Sequence, residues 1–261
     1  MSADTGTVRL SIADGVAAVV FDRPQAHNAM TWSMYETLGA ICEQLAADAS
    51  VRVVTLRGAG GKAFVAGTDI AQFQSFASAE DGIAYESGID AGIERLERLP
   101  MPVVAILEGW VVGGGLAIAA ACDLRIATPD AQFGVPIART LGNCLSTANT
   151  ARVIAGFGLG HARRMLLLAQ TLGAGEALTA GFITEVAERD AIDAAAAAMC
   201  ERLARNAPLT LRAAKETMRR IAANGRTATN HDLIRLCYGS RDFAEGVAAF
   251  VAKRAPKWSG S

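Results

Sequence analysis

The sequence predicts an α/β chain built on a mainly parallel, buried sheet. Three observations predict it. Strand and helix patterns alternate along residues 1–190, the signature of strand–helix–strand units. Short β-branched runs such as Val51–Leu56 and Val103–Leu107 punctuate that alternation. Residues 191–261 read as helices only, so a helical region follows the α/β part.

In chain order, Val8–Phe21 carries a hairpin signal around Ala13-Asp14-Gly15. Thr31 is placed to cap a helix from Trp32 to about Asp48. Val51–Leu56 is a strand, Arg57–Lys62 a loop, and Ala63–Gly67 a strand that runs into a helix after Thr68 or Asp69. Tyr85–Arg98 is a helix stopped by Leu99-Pro100-Met101-Pro102, and Val103–Leu107 is the next strand. A helix starts at Gly113, Asp123–Ala127 is a strand, and Ala131–Phe133 is a short one. The tail reads as three helices, 191–206, 209–223 and 232–253.

Composition excludes several classes. Of 261 residues 51% are apolar and the formal net charge is -1, which offers no basic field for nucleic acid. No apolar run is long enough to span a bilayer, and Met1–Thr7 is polar. Neither membrane nor nucleic acid is therefore expected as a partner, and no signal peptide is visible. Cys42, Cys122, Cys144, Cys200 and Cys237 are scattered and odd in number, which reads as buried, reduced thiols in a cytoplasmic protein. His27, His161 and His231 lack metal-ligand spacing. Gly58–Lys62 has no Ser or Thr after its lysine, and Gly156, Gly158 and Gly160 fall short of GxGxxG because His161 holds the last place. Both stretches read as turns.

Two stretches carry chemistry. Ala63–Asp69 (AFVAGTD) and Gly109–Gly115 (GWVVGGG) each read as a strand end, a glycine turn and a helix start. Two such turns at neighbouring sheet edges can aim two free backbone N–H groups at one point, as an oxyanion hole requires. Close packing of strand ends explains the same glycines equally well.

Five segments in order resemble the crotonase superfamily, the enoyl-CoA hydratase/isomerase family. They are Phe21-Asp22-Arg23-Pro24 with Asn28-Ala29-Met30, Lys62–Ile70, Gly109–Asp123, Ala131–Pro136, and Glu245-Gly246 through Lys253-Arg254. The resemblance implies a spiral of ββα units over residues 1–190 and a helical trimerisation and CoA-closing region over 191–261. It implies acyl-CoA thioester substrates, with no cofactor beyond the coenzyme A they carry. The N–H groups of Thr68 and Gly114 would hold the thioester oxygen as it becomes an enolate. Ala26 and His27 would line the thioester and pantetheine, and Ala66, Asp69 and Ile70 would lie near the adenine. Gly113 would belong to the oxyanion turn. Phe250 and Lys253 would close over the adenine and its phosphate, in part across subunits of a homotrimer or hexamer.

The sequence departs from this family where the resemblance implies proton-moving groups. Hydratases of the family place glutamates at the positions held here by Ala117 and Ile137. Efficient hydration is therefore not expected. A dry pocket with its oxyanion hole intact suits other enolate chemistry, namely decarboxylation, C–C hydrolysis or thioester hydrolysis, or acyl-CoA binding with weak catalysis. Arg139 could bind an acyl carboxylate, Asn143 could orient a water, and the Thr68 hydroxyl stands beside the oxyanion turn. Glu86 and Asp90 are possible acids or a solvated helix face, and Glu108 is a possible acid or an ordinary ion-pair partner.

Overall fold

A computed structural model describes residues 6–225 and 228–261; the first five residues of the polar stretch Met1–Thr7 lie outside them. Six strands form one sheet in the order β1-β2-β3-β5-β7-β10. These are β1 (Thr7–Ala13), β2 (Val16–Asp22), β3 (Val53–Gly58), β5 (Val103–Leu107), β7 (Leu124–Ala127) and β10 (Glu185–Val186). Four more form a second sheet, β4 (Ala63–Ala66), β6 (Trp110–Val112), β8 (Gln132–Gly134) and β9 (Thr171–Gly173), in the order β4-β6-β8-β9. Pairing is parallel except in β1–β2 and β8–β9.

The chain repeats one move. β3 and β4, β5 and β6, and β7 and β8 each send the first strand to the large sheet and the second to the small one. A helix then leaves the small sheet: α2 (Ala79–Glu97) after β4, and α3 (Gly114–Ala121) after β6. β8 is followed by the single-turn α4 (Ile137–Thr140) and then α5 (Thr147–Leu167). The hairpin β1–β2 and α1 (Trp32–Ala47) precede these units. This is the expected spiral. Its tightest element is α3, apolar on every side and buried along most of its length, as a helix enclosed between layers must be.

Local chemistry sets the ends of these elements. Thr31 caps α1 by accepting from Met34 N–H at 3.3 Å. Asp14 and Gly15 both have positive φ in the hairpin turn, as a tight two-residue connection demands. α2 begins at Ala79 rather than Tyr85 because Ser78 and Asp81 form a capping box. After Thr68 there is only a 3-10 turn, Ile70–Ser75, capped by Asp69. The glycines 156, 158 and 160 lie within α5, whose helical geometry breaks at Gly158, φ 75°.

The helical region differs from expectation in two ways. α7 (Ile192–Ala204) packs Ile192 and Ala196 on Ile106 and Ile126, and Cys200 on Val53 and Val104. It therefore completes the core. α8 (Pro208–Asn224) follows, and the single helix expected over 232–253 is two, α9 (His231–Tyr238) and α10 (Arg241–Val251). Gly239 ends the first, and Ser240 caps the second by accepting from Phe243 N–H at 3.0 Å. Among the cysteines, Cys42, Cys122 and Cys200 are buried, Cys237 is half-buried, and Cys144 is exposed because its loop borders a cavity.

Asn28 fastens the N-terminal turn to the start of β4. It is fully buried with φ 58°. Its amide donates to Ala59 O at 2.9 Å and Ala63 O at 2.8 Å, and it accepts from Arg23 N–H at 2.9 Å. Each buried polar group left unpaired costs about 1–3 kcal/mol. Asn28→Ala is expected to lower the urea midpoint by a stability loss in or above that range, measured by equilibrium denaturation. An unchanged midpoint contradicts the assignment.

Candidate active site

Two parallel strands set the geometry. β4 and β6 pair with Ala66 opposite Val112, so Gly67 and Gly113 leave the sheet at the same level. Both turn with positive φ, 86° and 54°, where a side chain is strained. Thr68 and Gly114 come next. Around them Met30 N–H donates to Gly67 O, and Gly113 N–H to Gly134 O, each at 2.9 Å. The N–H groups of Thr68 and Gly114 themselves have no acceptor among the described residues. Gly114 is the first residue of α3, where the helix dipole favours developing negative charge. Two free donors on adjacent turns suit an oxygen that gains charge during reaction.

The other glycines of the run answer to close packing. A Cβ on Gly115 would stand 2.0 Å from Val65 O, and one on Gly114 would stand 2.5 Å from the Tyr35 hydroxyl. Thr68 Oγ1 lies 2.8 Å from both the Tyr35 and the Tyr85 hydroxyls. Burial pushes both phenols up, which keeps them neutral. The Thr68 hydroxyl thus links α1 to α2 at the Gly67–Thr68 turn and does not cap a helix.

The turn opens on a cavity of about 210 Å³ that Ala66, Ile70, Gly113, Ala117, Ile137 and Asn143 also line. Ala117 is buried on α3, and Ile137 opens α4. Both groups offer the cavity only hydrocarbon. A larger cavity of about 820 Å³ adjoins it and shares Phe73, Tyr85, Glu86, Leu141, Asn143 and Leu145. Phe73, Phe76 and Tyr85 pack ring against ring along this wall, and Trp32 packs on them from outside the cavity lining.

Other sequence-designated residues are spread more widely. Ala26 and His27 lie in the turn beside β4, where His27 O accepts from Ala66 N–H at 3.0 Å. His27 lines a separate hollow with Lys62 and Arg189. Asp69 is engaged structurally, accepting from Ala71 N–H at 3.1 Å and pairing with Arg23 at 2.9 Å. Arg139 is exposed on α4 and is not part of the cavity wall. Phe250 is 86% exposed on α10 and borders a groove of the C-terminal helices, and Lys253 is exposed just beyond. Within one chain neither lines the cavity at Thr68 and Gly114. Glu108 is buried and pairs with Arg57 at 2.7 Å and Arg189 at 3.1 Å, so its role is structural.

Tyr35 and Tyr85 escaped the sequence reading. Their signal was a phenol on a helix face that packs inward, since a buried hydroxyl requires a partner. Glu86, by contrast, is no solvated face. It is half-buried and borders both cavities, and its Oε2 accepts from Ser146 N–H at 2.9 Å. Burial, with the neighbouring Asp90 charge, pushes its carboxyl up against the opposing effect of that hydrogen bond. An NMR titration of the Glu86 carboxyl is expected to show a midpoint above the ordinary glutamate range. Asp90→Asn removes a like charge and is expected to lower that midpoint. A wild-type midpoint at or below the ordinary value contradicts this description of its surroundings.

A family model described as enoyl-CoA hydratase/isomerase matches residues 11–261. The chain is 31% identical over 242 residues to a short-chain-enoyl-CoA hydratase of Clostridium acetobutylicum, covering 92% of each chain. It is 31% identical to an (E)-benzylidenesuccinyl-CoA hydratase of Thauera aromatica, covering 97% of this chain and 99% of the relative. A crystal structure from Magnetospirillum magneticum titled an enoyl-CoA hydratase/carnithine racemase superposes with a TM-score of 0.90 at 34% identity, covering 97% and 96% of the two chains. With its spiral fold and paired glycine turns, the chain belongs to the enoyl-CoA hydratase/isomerase family.

Proposed function

We propose that this chain binds an acyl-CoA thioester, stabilises its enolate between the N–H groups of Thr68 and Gly114, and is not an efficient two-glutamate hydratase. The pair of unpartnered N–H groups at the mouth of an apolar cavity carries this reading. The relatives' names supply the substrate class, because those proteins act on enoyl-CoA thioesters. The larger cavity and its aromatic wall favour an acyl group bulkier than crotonyl. Pantetheine then lies toward the turn of Ala26 and His27, and the thioester oxygen reaches the start of α3.

Hydration needs one group to take a proton from water and one to protonate carbon. Each positioned acid or base contributes about 10²–10⁴ in rate. Ala117 and Ile137 can do neither. Crotonyl-CoA hydration, followed by loss of enoyl absorbance, is expected to be at least about 10²-fold slower than in a two-glutamate hydratase. Ala117→Glu with Ile137→Glu is expected to raise that rate, at a cost in stability for each carboxylate left unsatisfied on burial. Fast hydration by the unaltered protein contradicts the reading.

The oxyanion assignment has its own test. Proline at the first position of a helix is well tolerated but lacks an N–H. Its Cβ would nonetheless meet the Tyr35 hydroxyl at 2.5 Å. Gly114→Pro is therefore made together with Tyr35→Phe and compared with Tyr35→Phe alone. Loss of one such donor is expected to cost about 10²–10³ in turnover of an accepted acyl-CoA. Equal turnover of the two variants rules the assignment out.

Assembly belongs to the same reading. Met218, Phe243, Phe250 and Val251 leave large apolar surface exposed on α8 and α10, whereas Leu233 of α9 is buried within the chain. A homotrimer, alone or paired as a hexamer, would cover that surface and bring Phe250 and Lys253 toward a neighbouring site. Light scattering at micromolar concentration is expected to give a trimer or hexamer; a monomer contradicts it.

A further inference from the structure

We propose that Glu86 is the catalytic acid–base of this site, delivered to the acyl group from α2 and not from α3 or the α4 turn. The proposal rests on the acyl-CoA enolate reading above and extends it to the proton.

Placement is the first argument. Of the residues lining the cavity that contains Thr68, Gly114, Ala117 and Ile137, Glu86 is the sole carboxylate. It also borders the larger cavity where the acyl group would extend. An enolate site that has lost carboxylates from α3 and α4 therefore still has one, on the helix that carries Tyr85.

Availability is the second. Among the other carboxylates of α2, Glu80 is exposed and lines neither cavity, and the rest are engaged. Asp81 caps the helix, Asp90 accepts from Ser146 Oγ at 2.8 Å and faces Arg152 at 3.5 Å, Glu94 pairs with Arg98, and Glu97 pairs with Arg152. Glu86 has no cationic partner among the described residues. Its Oε2 is held by Ser146 N–H, while Oε1 has no hydrogen-bond partner among them. One oxygen is thus oriented and the other is free. Half-burial and Asp90 favour the protonated form, which brings its proton affinity closer to that of a group working near neutral pH.

A single carboxylate facing a thioester can remove a proton and return it elsewhere. With vinylacetyl-CoA, Glu86 Oε1 takes a proton from the carbon between the carbonyl and the double bond. The C–H pair becomes a carbon–carbon π bond, and the carbonyl π pair moves to the thioester oxygen, held by Thr68 and Gly114 N–H. The return flow re-forms the carbonyl and shifts the double bond into conjugation, and the terminal carbon takes the proton back from Glu86. The product is crotonyl-CoA, and no oxidant, reductant or second substrate is consumed.

The test uses the full-length protein with vinylacetyl-CoA in deuterium oxide. Crotonyl-CoA formation and deuterium in the acyl group are read by mass spectrometry, and butyryl-CoA binding is measured by calorimetry. Glu86→Gln keeps an oxygen to accept from Ser146 N–H but cannot act as a base. It is expected to bind butyryl-CoA like the wild type and to lose about 10²–10⁴ in both isomerisation and deuterium incorporation, with Glu86→Asp intermediate. Equal rates in wild type and Glu86→Gln overturn the proposal. So does wild-type binding of butyryl-CoA with neither isomerisation nor exchange, which leaves the binding reading standing. Failure of the wild type to bind butyryl-CoA overturns the acyl-CoA reading and this inference with it.

Discussion

The register of two short parallel strands is the constraint on which the site depends. With Ala66 opposite Val112, the two chains depart the small sheet in step, and residues two positions on, Thr68 and Gly114, arrive side by side. A shift of one residue in that pairing would separate the two N–H groups and turn each strand's side chains to the opposite face. Several buried contacts hold the register. Met30 bridges to Thr68 on one flank, Gly134 O takes the Gly113 N–H on the other, and Gly115 lets α3 lie against Val65 O. The spiral of repeated strand pairs is thus the device that positions two backbone dipoles without using any side chain.

Freeing side chains from that task explains how the site tolerates Ala117 and Ile137. On the proposed reading, oxyanion stabilisation comes from backbone, so replacing acids on α3 and α4 changes which proton transfers are available and leaves the charge-stabilising part in place. The hydroxyl cluster of Tyr35, Thr68 and Tyr85 adds a second layer. It joins α1, the oxyanion turn and α2 through two contacts of 2.8 Å. Because α2 also carries Glu86, the same cluster ties the helix bearing that carboxylate to the turn at Thr68.

Much of the fold was legible because local chemistry and tertiary structure agree. The Asp14-Gly15 turn, the Thr31 cap and the buried strand Val103–Leu107 each announce themselves in a few residues. The glycine turns at Gly67 and Gly113 were legible for the same reason: φ there is positive, which glycine adopts without the strain a side chain brings. Less legible were features decided at a distance. Nothing near Glu86 in the chain reveals that Ser146, sixty positions on, would orient it, or that the 141–146 loop would line a cavity with it. Tyr35 and Tyr85 are ordinary helix residues until Thr68 is brought between them. The helix break at Gly239-Ser240 was local and readable, but the apolar periodicity on both sides masked it.

The proposed contact is a thioester carbonyl oxygen held between Thr68 N–H and Gly114 N–H. Infrared difference spectroscopy of a bound saturated acyl-CoA tests it most directly, because two aligned donors polarise the carbonyl before any bond is broken. The thioester C=O stretch is expected to move to lower frequency on binding, and part of this shift is expected to be lost when Gly114→Pro is added to Tyr35→Phe. A bound carbonyl with the same stretch as in water, or a shift insensitive to removing the Gly114 donor, would contradict it.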